Sequence, residues 1–297
     1  MAASRKRLFG RGEPEHPVGA LDMQALLAVA RLGMATVPQV SGLLGWRTDK
    51  PARNHLRNLF DHGLLDRAGV TRSQLSAQGG NDLLFGSAPM VYSLSREGVR
   101  AVRDAQLLAE IEIADVPEVT TKSLFVAHDL LVRDVRVWLA RIHRFYPVHR
   151  GLLDWQMGQR CVIELGRSEY PRQCRPDARL TYGLREATMA AFVEADRGTE
   201  TSPARWQEKV AQYVPVLSSD LQRQATGQKR TRVLCVALDI ARRDWIASVL
   251  DQSLPADIRD RFWLCDRAVL DTADLSTALW RMPGVASLVP LVAPEFL

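Results

Sequence analysis

The chain has little cysteine and no long apolar run. Its four cysteines, Cys161, Cys174, Cys235 and Cys265, stand far apart with no C-x-x-C pair. That spacing excludes the usual structural zinc motifs. Cys235 and Cys265 lie inside apolar runs and read as small core hydrophobes. No stretch approaches the roughly 18 uninterrupted apolar residues of a membrane span, so no membrane partner is expected. The N-terminal MAASRKRLFGRGEPEHP is basic with no apolar segment behind it, so no secretion signal is expected. A cytoplasmic chain without structural disulfides follows. G-x-x-x-x-G-K-[ST] is missing, which excludes P-loop hydrolases. G-x-S-x-G is missing too, and with it the nucleophile elbow of serine hydrolases. There is no H-x-H pair and no internal repeat.

What is present is ordinary in bulk: 46% apolar and 25% charged residues in a length of 297, enough for two domains. The net charge of +5 is uneven. Residues 1–110 hold 14 Lys/Arg against 10 Asp/Glu, a surplus of four. A basic N-terminal part suits a polyanionic partner.

Residues 1–18, basic with Gly and Pro, read as a disordered tail. Helices are expected over Leu21–Arg31, over Val37–Leu44, and behind Thr48 with Pro51 in the first turn, ending near Gly63. Strands are expected at Leu64–Arg67 and Met90–Leu94. They flank a Gly/Ser/Gln/Asn-rich loop, Ala77–Ala88, expected to be mobile. Ser95 caps a further helix, REGVRAVRDAQLLAEI. Three helices, a hairpin with a long tip and a helix is the order of a winged helix-turn-helix. In the third helix Ala52, Leu56, Leu59 and Phe60 form the packing face. Lys50, Arg53, Asn54, Arg57 and Asn58 are expected opposite, offering cations to phosphates and forked donors to base edges of double-stranded DNA. An ordinary solvated face is the plain alternative.

Residues 111–122 read as a connector between a domain over 19–110 and a second over 123–297. The second opens with an amphipathic helix, Leu124–His143, whose stripe carries Leu124, His128, Leu131, Val135, Trp138 and Ile142. Strands follow near Leu152–Gln156, Arg175–Tyr182 and Thr188–Asp196. A helix capped by Ser202 comes next, lined by Trp206, Val210, Tyr213 and Leu217. Arg232–Leu238 reads as a strand buried on both faces. Ile240–Leu250 reads as a helix, Arg261–Cys265 as a strand and Leu275–Trp280 as a last helix. The order is α-β-β-β-α-β, then α-β-α: an α+β or α/β chain whose second domain is a mixed sheet covered by helices.

The candidate chemistry is carboxylate chemistry. Asp177 follows Pro176 at a strand start, and Glu194 and Asp196 end the next strand. Period-two alternation puts Glu194 and Asp196 on one side of the sheet. Neighbouring strands lie about 4.8 Å apart, so these three acids are candidates to share Mg²⁺ or Mn²⁺. Such a cation lowers the pKa of bound water and stabilises charge on a phosphodiester. Glu194 is expected as an unburied strand-end acid, with about 1 kcal/mol or less of stability at stake. Lys209, one turn before Tyr213, either holds a phosphate or snorkels. His128 reads as a core histidine that gains interest if its helix packs on the carboxylate-bearing strands.

R-P-D-A-R-L (Arg175–Leu180), F-V-E-A-D-R-G-T-E (Phe192–Glu200) and K-V-A-Q-Y (Lys209–Tyr213) together resemble the replication-relaxation family of plasmids and integrative elements. That family is similar to mobilisation relaxases with a PD-(D/E)xK restriction-endonuclease-like core. The resemblance implies metal-dependent nicking of DNA, with Asp177 and Glu194 as metal ligands and other transfer or replication proteins as partners. One departure stands out: Glu194-Ala195-Asp196 has Asp where the nuclease motif has Lys, and Lys209 is the candidate substitute. The alternative is a non-catalytic DNA-binding regulator of replication, transfer or transcription, its degenerate nuclease-like domain used for partner contacts or for a homodimer.

Overall fold

A computed structural model of the chain describes residues 10–70, 90–106, 126–166, 173–199, 201–272 and 274–296. The expected wing tip, Ala77–Ala88, and the connector, 111–122, lie outside the described residues. The chain divides into two compact units, Met1–Val137 and Trp138–Leu297.

The first unit begins with α1 (Ala20–Leu32), β1 (Met34–Thr36), α2 (Val37–Leu44) and α3 (Asp49–Asp61). Thr36 and Gln39 close a capping box at the start of α2, with Pro38 in its first turn, and Gly45 ends α2 in the left-handed conformation. β2 (Leu65–Gly69), β3 (Met90–Leu94) and α4 (Arg96–Asp104, capped by Ser95) follow. The strands pair antiparallel in the order β1-β3-β2. The expected elements form in the winged helix-turn-helix order. β1 is an addition: three residues are too few to show a period, and only pairing with β3 makes them a strand. Leu26, Val29, Leu56, Leu59, Phe60, Leu65, Tyr92 and Val102 make the core. α4 crosses the Gly63–Leu65 segment closely enough that a Cβ on Gly98 would run into the Leu64 carbonyl oxygen. Gly98→Ala is therefore expected to cost about 1–3 kcal/mol, as overpacking does, read as a lowered denaturant midpoint; an unchanged midpoint would mean the crossing is looser than described.

α5 (Val126–Phe145) contains the boundary between the units. The second unit continues with β4 (Gly151–Met157), a two-residue pair β5 (Ile163–Glu164) and β6 (Gln173–Cys174), β7 (Ala178–Gly183), β8 (Thr188–Asp196), α6 (Pro203–Leu217), α7 (Leu221–Thr226), β9 (Thr231–Ala237), α8 (Ile240–Ser253) and β10 (Phe262–Asp266). The five-stranded sheet runs β10-β9-β8-β7-β4. β8, β9 and β10 are mutually parallel, and β7 is antiparallel to β8 and β4. This is the expected mixed sheet flanked by helices. Phe192, Val233, Cys235, Phe262 and Leu264 meet Trp206, Tyr213, Ile246 and Leu250 in one core. The four cysteines are free and buried.

One expected element does not form: Leu275–Trp280 is not a helix. The Asp274 carboxylate accepts from Ser276 N and Oγ, and Thr277 Oγ1 also donates to it. These bonds close a local turn at Asp274, and no helix continues behind it. Trp280 and Arg281 instead bridge to Val289 and Leu264, and so run beside β10. No described helix is long and apolar enough to cross a membrane.

Candidate functional site

Pro176 cannot extend the β7–β8 ladder, since it carries no N–H. Asp177 bonds to β8 with both its backbone and its side chain. Its N–H donates to the Val193 carbonyl (3.0 Å), and its Oδ2 accepts from Ala195 N at 2.8 Å. One step beyond the pair Ala178–Val193, this register sets Asp177 opposite Glu194. Acids directly opposed on antiparallel strands repel one another, so the pair needs a cation.

α6 supplies it. Ser202 caps the helix, Pro203 opens it, and Trp206, Lys209 and Tyr213 recur along one side. Lys209 Nζ donates to Glu194 Oε2, and Tyr213 Oη donates to Glu194 Oε1 at 2.6 Å. Glu194 is 1% exposed, which corrects the expectation of an unburied strand end: residues 192, 194 and 196 share the face that α6 covers. Burial raises the Glu194 carboxyl, Lys209 pulls it back, Asp177 adds to the rise, and the net direction is up. Burial alone would lower Lys209, but Glu194 and Asp177 outweigh it and the ammonium holds its proton above the ordinary lysine range. The Lys209 ammonium also stands 5.5 Å from the Trp206 ring centroid.

Asp196 shares the face with Glu194 but serves other partners. Arg242 grips it with two bonds, Nε to Oδ1 at 2.7 Å and an Nη to Oδ2 at 2.9 Å. Trp206 Nε1 and Gly198 N also donate to it. With four donors on two oxygens it is not drawn into a cation site with Asp177 and Glu194, contrary to the expectation of three shared acids. Among the described residues no group of three His, Cys, Asp or Glu is placed to hold a metal. His128 belongs to the first unit, half-buried, with Asp129 Oδ1 3.6 Å from its Nδ1.

On α3, Lys50, Arg53 and Asn54 are exposed as expected. Asn58 is a correction. It is buried, and its amide donates to Asp22 Oδ2 at 3.3 Å, while His55 Nδ1 meets Asp22 Oδ1 at 2.9 Å. α1 packs against α3 on this side, so the inward sector is wider than the Leu56/Leu59 stripe. Arg57 is half-buried, its Nε on Asp61 Oδ2 at 2.6 Å.

Sequence reading missed Tyr213 and Arg242 as partners of the acids. A signal for the helix existed: Lys6, Lys50, Lys122, Lys209 and Lys229 are the only lysines among 39 Lys/Arg, so a lysine beside an apolar stripe is conspicuous. For Arg242 nothing in the sequence pointed to Asp196, 46 residues away.

No curated protein matches the chain. Among solved structures, the restriction endonuclease FokI is similar at a TM-score of 0.26 and 12% identity over 84% of this chain, which spans 42% of that chain; so distant a likeness carries no argument. The model of the replication-relaxation family matches residues 26–231. That span is more than two thirds of the chain and runs from within α1 through α7, taking in Asp177, Glu194 and Lys209. The chain belongs to the replication-relaxation family.

Proposed function

We propose that this protein processes DNA of a mobile element: the exposed face of α3 grips duplex DNA, and the Asp177–Glu194–Lys209 cluster acts on one strand. The observation that carries the reading is the fully buried Glu194 carboxylate met by Lys209 and Tyr213. Burying a charge is costly, and strongly perturbed ionisable groups gather at working sites. The family's name points to replication and relaxation of DNA, which fits.

The donor chemistry suits a hard cation. Mg²⁺ is commonly held by one or two carboxylates plus substrate phosphates and waters, and Asp177 and Glu194 are two such carboxylates. Bound there, Mg²⁺ or Mn²⁺ would supply charge neutralisation at the phosphate and a more acidic water. The residues do the rest. Tyr213 fixes one oxygen of Glu194, so the carboxylate cannot turn. Asp177 is fixed by the Ala195 amide. Lys209 keeps its proton through neutral pH and presents it to an anion, the role of the lysine missing from position 196. Asp196, closed by Arg242, holds the strand end rather than the substrate.

A second reading is favoured by one observation: both Glu194 oxygens already have protein donors. On that reading the unit binds DNA without cutting it. Nicking of supercoiled plasmid bearing the element's own transfer origin, with Mn²⁺ and with chelator, separates the two. Chelator-sensitive nicking is expected; none on such a substrate leaves the binding factor. For the first unit, Lys50→Ala with Arg53→Ala is expected to make log K against log salt shallower by about two units, one per lost phosphate contact. An unchanged slope removes α3 from the interface.

A further inference from the structure

Trp206 links the two halves of the divided acid set. Its indole Nε1–H donates to Asp196 Oδ2 at 3.1 Å, and the Lys209 ammonium stands 5.5 Å from its ring centroid. The residue is 1% exposed. A buried indole N–H needs an acceptor, and Asp196 is an acceptor held in place. Arg242 grips it through both oxygens. Arg242 is itself fixed: its backbone N–H donates to the Asp239 cap of α8 at 2.7 Å, and its guanidinium lies 4.2 Å from the Trp245 ring centroid. The outer torsion of a tryptophan is broad and roughly two-fold, so core packing fixes the plane of the indole and leaves its direction open. The bond to Asp196 selects the direction. Lys209, three residues on along α6, meets the face of the ring so fixed.

The ammonium therefore has two supports, the Glu194 carboxylate and the Trp206 face. They differ in kind. The bond to Glu194 takes up a carboxylate oxygen, whereas attraction to an aromatic face takes up no acceptor. We propose that Asp196 is a positioning residue for Lys209, acting through Trp206: with the indole held, the ammonium keeps its place when it gives up the Glu194 oxygen. The proposal rests on the reading of Asp177, Glu194 and Lys209 as a site that acts on DNA. It supplies what that site needs, a way for a carboxylate already met by Lys209 and Tyr213 to free one oxygen without losing the cation beside it.

The test reads Lys209 directly, apart from activity. The chain holds five lysines, so full-length protein carrying ¹³C-labelled lysine gives few signals, and that of Lys209 is identified by its loss in Lys209→Arg. The ring current of Trp206 is expected to set the Lys209 ε-CH2 protons upfield of those of the other lysines. Asp196→Asn, which keeps the size but breaks the two-oxygen grip, is expected to shrink that displacement. It is also expected to lower chelator-sensitive nicking per native molecule by about tenfold to a hundredfold, the usual loss when the group behind a site residue is removed. A merely structural aspartate would lower the melting midpoint and leave the Lys209 signal where it was, which overturns the proposal. So does a wild-type Lys209 signal that lies among those of the other lysines. Should Asp196→Asn melt too early to measure, the wild-type indole proton decides. Identified by its loss in Trp206→Phe, it is expected to exchange slowly with water and to show a nuclear Overhauser contact to the Lys209 ε-CH2; fast exchange or no contact overturns the proposal. If the Lys209 signal moves as expected but wild type does not nick plasmid bearing its own transfer origin, the positioning of Lys209 by Asp196 stands and the nicking reading falls.

Discussion

Glu194→Ala is expected to destabilise the second unit by about 3–5 kcal/mol, the usual cost of leaving one partner of a buried ion pair alone. The loss is electrostatic more than steric. Without Glu194 the Lys209 ammonium, three quarters of whose side chain is out of water, loses the carboxylate that it donates to, and the Tyr213 hydroxyl loses its acceptor. Glu194→Gln keeps the shape and the Tyr213 bond and is expected to cost less. Removing both charges, Glu194→Gln with Lys209→Met, is expected to be milder than Glu194→Ala, because neither buried charge is then orphaned. Denaturant melts of wild type, Glu194→Gln, Lys209→Met and the double variant give the coupling as a double-mutant cycle. Additive losses would mean the two groups do not meet. The pair also sets a pH dependence. Lys209 has a folded pKa raised above its unfolded value, so its stabilisation is fully present below the ordinary lysine range and is lost as pH rises through the raised value. Lys209→Met is expected to flatten stability against pH on the alkaline side.

Lys209→Ala is expected to lower cation-dependent nicking by about a hundredfold to a thousandfold, the loss typical of removing one preorganised donor to a developing charge, with DNA affinity through α3 unchanged. Lys209→Arg keeps the charge with a different donor geometry and is expected to recover part of the rate. A merely structural lysine would differ in the rate alone: Lys209→Ala would melt early and still nick at the wild-type rate per folded molecule. Counting active molecules by the native melting transition makes that distinction. Equal nicking by wild type and Lys209→Ala, or nicking insensitive to chelator in both, would remove the cluster from the chemistry.

The sequence by itself determined the local structure. Val37–Leu44, Met90–Leu94 and Thr188–Asp196 form at the residues where apolar period and bounding turns place them, and the helix behind Ser95 starts at that cap, because those signals act within a few residues of the backbone they shape. It also determined that Glu194 and Asp196 share a face, since strand alternation is a local rule. It did not show how deep that face lies. The burial of Glu194 depends on α6 crossing β8, and a charged residue at a strand end reads the same whether water or a helix covers it. Tertiary structure alone decided the partners: Lys209 and Tyr213 for Glu194, Arg242 for Asp196, Asp22 for Asn58. These pairs join elements far apart in the chain, where chain connectivity fixes no distance. The three expected acids therefore divide into Asp177 with Glu194 on one side and Asp196 on the other. The physical reason is competition: Arg242, fixed by the Asp239 cap of α8, reaches Asp196 with a bidentate grip that leaves its carboxylate no oxygen to spare.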